Sequence, residues 1–114
     1  MGFETILFYK DGHTGVLQLN RPEQMNAISL HMRSEIEQVL EEASRDSEIR
    51  ALILTGGEKV FCSGADIKER PGIIQKLDEN KMYRILTRRK IVHSLIEELE
   101  KPVIAAVSGL ALGG

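Results

Sequence analysis

The decapeptide FCSGADIKER spans residues Phe61 to Arg70. It contains a turn of small residues that comes directly after strand-like residues. A second turn of this kind, SGLALGG, runs from Ser108 to Gly114. Glycine has no Cβ, so the backbone can bend sharply at Gly64 and a ligand can come close to it. The N–H groups of Ala65 and of Gly113–Gly114 can then point into a cleft, and two such donors aimed at one point form an oxyanion hole. Glycines after strands also simply make turns, so spacing alone leaves both interpretations open.

The segments around the two turns predict strands that alternate with helices. TILFYK (residues 5–10) and TGVLQLN (residues 14–20) are predicted to be two strands joined by a tight turn at Asp11-Gly12, because Asp-Gly favours hairpin turns. ALILTG (51–56) and VIAAVSG (103–109) are apolar runs typical of buried strands. This order predicts an α/β fold with a largely parallel part.

Two helices are predicted between these strands. Ser29 is a natural N-cap for the first helix. Its apolar residues recur at helical spacing: Met32, Ile36, Val39, Leu40 and Ala43. The residues expected mostly on its solvent side are Arg33, Glu37, Glu41 and Glu42. The second helix runs from about Lys76 to Glu100 and ends at Lys101-Pro102, because a residue before proline avoids helical geometry. Its apolar stripe comprises Met82, Ile85, Leu86, Val92, Leu95, Ile96 and Leu99.

The chain ends on a glycine turn directly after a predicted buried strand. In an α/β unit a helix should follow there and cover the sheet. Residues 1–114 are therefore expected to form one domain that is incomplete at its C-terminal end. Such a piece is expected to expose an apolar sheet edge and face.

Composition and charge exclude several classes of protein. The 114 residues include 15 basic and 17 acidic side chains, and the net charge of -2 gives no electrostatic argument for binding nucleic acid or an anionic membrane. No secretory signal is expected, because residues 1–12 lack a basic segment followed by an apolar core, and the longest apolar stretch is too short to span a bilayer. The single cysteine, Cys62, cannot form an internal disulfide, which favours a reducing, cytoplasmic setting. His13, His31 and His93 lack metal-ligand spacing, so no metal site is predicted.

Three segments resemble the crotonase, or enoyl-CoA hydratase/isomerase, superfamily. They are LNRPEQMNAIS (residues 19–29), FCSGADIKE (61–69) and KPVIAAVSGLALGG (101–114), and they occur in the order that the family shows. The resemblance implies the N-terminal half of a crotonase-like spiral fold of ββα units, truncated here. It also implies an enoyl-CoA hydratase, which adds water to the double bond of 2-enoyl-CoA thioesters.

The resemblance also implies site residues. Ala65 and Gly114 match the two backbone N–H donors of the family's oxyanion hole. The residues expected to line the acyl-CoA site are Met25, Asn26, Ala27, Ile28, Ser63, Gly64, Ala65, Asp66, Ile67, Lys68, Leu110 and Gly113. Lys68 is a candidate for a contact with a CoA phosphate and equally a solvated surface lysine. Asp66 is expected to brace its turn through the local backbone rather than to act as a general base. Cys62 is expected to be a small buried side chain rather than a nucleophile.

The remaining expectations follow from the same resemblance. No cofactor is expected apart from coenzyme A as part of the substrate, and the full-length protein is expected to form a homo-oligomer, a trimer or hexamer. The two glutamates that perform acid/base chemistry in family hydratases would lie beyond Gly114, so the 114-residue chain alone is expected to be inactive. Isomerase, dehalogenase, hydrolase, decarboxylase and ring-forming synthase activities stay open, as does a non-catalytic acyl-CoA-binding or assembly module. A nucleotide-binding domain is disfavoured, because no phosphate-binding loop follows any strand.

Overall fold

The computed structural model describes residues 2–66 and 93–114. The first two strands, β1 (Ile6–Asp11) and β2 (Thr14–Leu19), form an antiparallel hairpin in which Asp11 faces Thr14. The turn residues are therefore Gly12 and His13, one position later than the predicted turn at Asp11-Gly12. The first position of a two-residue hairpin loop requires a positive φ, and Gly12 has φ +61°. Gly12 therefore occupies that position, and Asp11 remains in the strand.

The hairpin belongs to a mixed four-stranded sheet. β3 (Ala51–Thr55) pairs parallel with β2, and β5 (Val103–Ala106) pairs parallel with β3, which gives the order β1-β2-β3-β5. The predicted α/β arrangement with a largely parallel part is confirmed. Two further strands were not predicted: β4 (Val60–Cys62) and β6 (Leu110–Ala111) pair parallel in a small separate sheet. At three and two residues they are too short to show a strand period in the sequence.

The helix α1 (Leu30–Arg45) covers one face of the larger sheet. The Ser29 hydroxyl accepts the Met32 N–H at 3.1 Å, so the predicted N-cap is confirmed. The predicted apolar stripe is buried in full, and it packs with residues of β1, β2 and β3 in one core. The buried residues of that core are Ile6, Leu17, Leu19, Met32, Ile36, Val39, Leu40, Leu52 and Cys62.

The prediction that Arg33 lies on the solvent side of α1 is wrong. Its side chain is buried, and it shares a helix face with Ile36 and Leu40, three and seven positions later. The buried face of α1 is therefore wider than its apolar stripe, and Arg33 and Glu35 extend it. A long arginine side chain can occupy such a position because its methylene groups pack like an apolar residue.

Glu35 fastens the N-terminal segment to α1. Its carboxylate accepts the backbone N–H of Glu4 at 2.9 Å and that of Thr5 at 2.8 Å, and it also accepts the Thr5 hydroxyl. Burial raises the pKa of Glu35, but these hydrogen bonds to the charged form outweigh burial and hold the pKa below its ordinary value of 4.5.

We expect Glu35→Gln to lower the free energy of unfolding at pH 7 by about 1–3 kcal/mol, because a neutral amide is the weaker acceptor for these donors. A carboxylate with a lowered folded-state pKa stabilises the fold above its ordinary pKa, and this stabilisation is lost as the pH falls through the folded-state pKa. Urea unfolding should therefore separate the variant from the parent at pH 7 and bring them together in acid. Glu41→Gln, an exposed change on the same helix, is the control. An equal difference at both pH values would contradict this account.

The strand β5 differs from its prediction as a buried strand. Ile104 is 57% exposed, and Val107 just beyond the strand is 53% exposed. β5 is the outer strand of the described sheet, so an exposed apolar edge is found where one was expected. The Lys101 ammonium joins the start of this strand to the end of α1 by donating to the carbonyls of Ala43 and Asp46.

The second predicted helix is described only in part. Residues 93–98 are helical, and Leu95, Ile96 and Leu99 pack against the core as their stripe predicts. The rest of that prediction, including Met82, Ile85, Leu86 and Val92, lies outside the described residues. Among the helices of the described ranges, none is both long and apolar enough to cross a membrane.

Candidate active site

The two glycine turns meet in the structure. Gly64 has φ +101° and Gly113 has φ +64°, a backbone conformation that favours glycine. A Cβ on Gly113 would lie 3.2 Å from the Gly64 Cα, and a Cβ on Gly64 would lie 3.0 Å from the Leu112 carbonyl oxygen. The Leu112 N–H also donates to the Cys62 carbonyl at 2.9 Å. The turns therefore pack backbone against backbone, at a distance that leaves little room for a side chain.

The amide of Ala65 points away from the strand-like segment beside it. Ile28 forms an isolated parallel bridge with Ala65: the Ile28 N–H donates to the Gly64 carbonyl at 2.8 Å, and the Asp66 N–H donates to the Ile28 carbonyl at 3.0 Å. Because successive N–H groups of an extended backbone point to opposite sides, the N–H of Ala65 faces the other way. Within the described residues it has no hydrogen-bond acceptor.

Ala65 and Gly114 line one cavity of about 90 Å³. The structure thus brings the two predicted donor residues to one space, although their turns lie far apart in the sequence. The cavity lies between α1, the larger sheet and the helical residues 93–98. Most of its walls are apolar: Leu17, Leu19, Ile36, Leu40, Leu52, Leu54, Phe61, Ile96 and Val103. Walls of this kind are suited to an apolar group.

Of the other predicted site residues, one lines the cavity, most lie outside its lining, and two lie outside the described residues. Ile28 lines the cavity beside Ala65 and Gly114. Among the described residues, eight predicted ones lie outside the lining and surround the two turns: Met25, Asn26, Ala27, Ser63, Gly64, Asp66, Leu110 and Gly113. Ile67 and Lys68 lie outside the described residues. The roles of all twelve in binding acyl-CoA stay predictions.

Asn26 holds together the loop that carries Ile28. The residue is 1% exposed and its φ is +55°, beside φ +53° at Met25. The Nδ2 group lies 2.9 Å from the Gly56 carbonyl oxygen and 3.2 Å from those of Val60 and Phe61, while Oδ1 accepts the Arg21 N–H at 2.8 Å. One amide thereby fixes the loop against β4 and the residues that precede it.

Cys62 is a buried thiol at the base of the first turn, as the sequence predicted. Its Sγ lies 3.4 Å from the Asn26 carbonyl oxygen, to which it donates, and it accepts the Gly64 N–H at 3.3 Å. These contacts support the turn that presents Ala65. They give the thiol a structural role.

Asp66 has a distant partner that the sequence did not predict, and the local backbone bond expected for it stays a prediction. One carboxylate oxygen lies 3.1 Å from an Arg21 guanidinium nitrogen, and the two side chains are only 10% and 19% exposed. The same nitrogen donates to the carbonyl of Ala27. Sequence reasoning missed Arg21 because nothing local relates it to a residue 45 positions away.

Arg33 and His93 also line the cavity, and sequence reasoning assigned neither to it. The Nε2 of His93 lies 3.3 Å from the Gly114 carbonyl oxygen. The helical spacing held a signal for both residues. Arg33 precedes Ile36 by three positions, and His93 precedes Ile96 by three positions, so each shares a helix face with an apolar residue of the cavity.

Comparison with known proteins agrees with this geometry. The family model described as enoyl-CoA hydratase/isomerase matches residues 11–114. The chain is 40% identical over its whole length to a putative enoyl-CoA hydratase/isomerase, YngF, of Bacillus subtilis, and 42% identical to a short-chain-enoyl-CoA hydratase of Clostridium acetobutylicum. It covers 43% and 42% of those proteins.

Solved structures give the same result. The crystal structure of an enoyl-CoA hydratase from Shewanella pealeana matches 97% of this chain with a TM-score of 0.91 at 27% identity. That of an enoyl-CoA hydratase from Bacillus anthracis matches 95% with a TM-score of 0.82 at 35% identity. The chain covers 42% and 41% of these two structures, so it spans about two-fifths of the length of its relatives. By its sequence and its fold, the chain belongs to the enoyl-CoA hydratase/isomerase family.

Proposed function

We propose that the whole protein hydrates 2-enoyl-CoA thioesters at the cavity that Ala65 and Gly114 line. The observation that carries the proposal is the presence of Ala65 and Gly114 on one cavity with apolar walls. The thioester carbonyl oxygen accepts hydrogen bonds from the two N–H groups, and the acyl chain lies along the apolar walls. The names of the relatives, which include a short-chain-enoyl-CoA hydratase and a crotonyl-CoA hydratase, support the same substrate class.

The two donors act on the charge that develops during the reaction. When a water oxygen adds to the β-carbon, the double-bond electrons move towards the carbonyl and its oxygen becomes an enolate oxyanion. Donors already fixed in place stabilise this charge at no cost of reorganisation, by about 3 kcal/mol for each donor. The chain described here thus binds and polarises the thioester, and we assign the proton transfers to glutamates beyond Gly114.

The wider features of the protein are part of the proposal. Coenzyme A enters as part of the substrate, and the residues around the two turns contact it, with Ile67 and Lys68 at its adenine end and phosphates. We propose a homo-oligomer, a trimer or hexamer, that works in the cytoplasm. The family resemblance supports these features.

The test is hydration of crotonyl-CoA by the whole protein. The ultraviolet absorbance of the conjugated thioester should fall with time as the double bond is lost. Butyryl-CoA, which has no double bond, serves as the control for binding, measured by calorimetry. Binding of both thioesters without loss of absorbance would replace the proposal by a non-catalytic acyl-CoA-binding module, and binding of neither would overturn both.

A further inference from the structure

We propose that Arg21 is a positioning residue for the Ala65 donor. Its guanidinium holds the segment before α1 against the first glycine turn, so that the Ala65 N–H keeps its direction into the cavity. This inference rests on the proposed function, because it deepens the account of the same oxyanion hole. Arg21 itself does not line the cavity, so it acts on the donor from outside the site.

The contacts of Arg21 join the two sides of one bridge. The bridge pairs Ile28 with Ala65, and Arg21 contacts the neighbour of each: the carbonyl of Ala27 on one side and the carboxylate of Asp66 on the other. A single guanidinium nitrogen makes both contacts. It therefore fixes the separation and the direction of the two backbone segments whose hydrogen bonds orient the Ala65 amide.

Arg21 is itself held in place at its backbone. Its N–H donates to the Asn26 Oδ1 at 2.8 Å, and its carbonyl accepts the N–H groups of Gln24 at 3.0 Å and Asn26 at 2.8 Å. The guanidinium thus extends from a fixed point rather than from a free loop. A side chain fixed at its backbone and at its guanidinium can hold the neighbouring donor within the narrow range of positions that an oxyanion hole requires.

The charge of Arg21 matters as well as its contacts. The Asp66 carboxylate is only 10% exposed, and it lies 3.1 Å from the Arg21 guanidinium. Opposite charges attract more strongly where solvent is largely excluded. The ion pair therefore adds a Coulomb attraction to the contact that holds the first glycine turn against the segment before α1.

Removing one partner of a buried ion pair lowers stability, so Arg21→Met is expected to be less stable than the parent. Placement of a reacting group acts on the rate as well, since a misplacement of about 1 Å can cost on the order of 100-fold in rate. We therefore expect a loss of rate in the variant that is folded, in addition to its lower stability.

The test uses the whole protein and crotonyl-CoA. We expect Arg21→Met to lower kcat by about 10- to 100-fold and to change KM little, because the donor is misaligned. Arg21→Lys should restore only part of the rate, since an ammonium lacks the planar fork of the guanidinium. Lys10→Met, which breaks an exposed ion pair with Asp46, is the matched control.

A spectroscopic readout separates positioning from a purely structural role. The carbonyl stretch of bound crotonyl-CoA, followed by isotope-edited infrared spectroscopy, reports how strongly the donors polarise the thioester. We expect Arg21→Met to reduce its shift from the solution value while the variant stays folded by circular dichroism. An unchanged shift, or a kcat within twofold of the parent, would overturn the inference while leaving the proposed function intact. Absence of both hydration and carbonyl shift in the parent protein would overturn the proposed function, and the inference with it.

Discussion

Replacing Ala65 by proline is expected to lower kcat for enoyl-CoA hydration by about 100- to 1,000-fold in the whole protein. Proline has no N–H, so the substitution deletes one donor of the proposed oxyanion hole. The loss should fall on the transition state, because the charge on the carbonyl oxygen is greatest there. Within the described residues the Ala65 N–H has no partner in the fold, whereas the neighbouring Asp66 N–H does. The deletion therefore removes no described hydrogen bond that holds the turn.

The measurement is steady-state hydration of crotonyl-CoA, with circular dichroism and thermal melting to establish that the variant is folded. Ala65→Ser keeps the N–H and serves as the matched control, with a kcat close to that of the parent. Replacing the Ala65 amide by an ester through backbone mutagenesis removes the same donor without the proline ring. A folded proline or ester variant with the parent's kcat would show that Ala65 is not a donor in catalysis.

Replacing Asn26 by alanine is expected to lower the free energy of unfolding by about 3 kcal/mol. The amide is fully buried and satisfies several backbone groups at once, and a buried polar group that loses its partner costs about 1–3 kcal/mol. The two hydrogens of Nδ2 are shared among the carbonyls of Gly56, Val60 and Phe61, so all three lose a donor together. Urea unfolding at neutral pH gives the change directly.

Glycine at the same position separates the contribution of the Asn26 hydrogen bonds from the cost of its positive φ. Asn26→Gly loses the same hydrogen bonds but tolerates φ +55° without a Cβ, so it should be more stable than Asn26→Ala by about 1 kcal/mol. A variant as stable as the parent in either case would mean that the side-chain contacts of Asn26 contribute nothing to the fold. Equal stability of the two variants would contradict only the contribution from the backbone angle.

The regular part of the fold is predictable from the sequence. Apolar runs located β3 and β5, the cap and spacing of Ser29 and Met32 located α1, and a glycine located the hairpin turn to within one residue. These features are local, since each depends on residues within one or two turns of chain. Such patterns distinguish strands from helices because burial of one face makes apolar side chains recur with the period of the element.

The supports of the candidate site are not local, and the sequence could not show them. Arg21 contacts Asp66, and Asn26 contacts the residues before and within β4, in both cases across a long stretch of chain. Charged residues such as Arg33 are expected on the surface by composition alone, yet tertiary packing buries this one. The exposed face of β5 differs from its apolar sequence for a related reason: burial of a strand depends on neighbours that its own residues do not specify.

The contact between Gly64 and Gly113 determines when the candidate site forms during folding. Contacts between distant parts of a chain form late, because the entropy of closing a long loop must be overcome first. The hairpin and α1 are local, whereas the two proposed donors reach the cavity only when β4 and β6 have paired. The proposed thioester site therefore exists in the finished fold and not in its partly folded precursors. A ligand that binds this site shifts the folding equilibrium towards the native state by mass action.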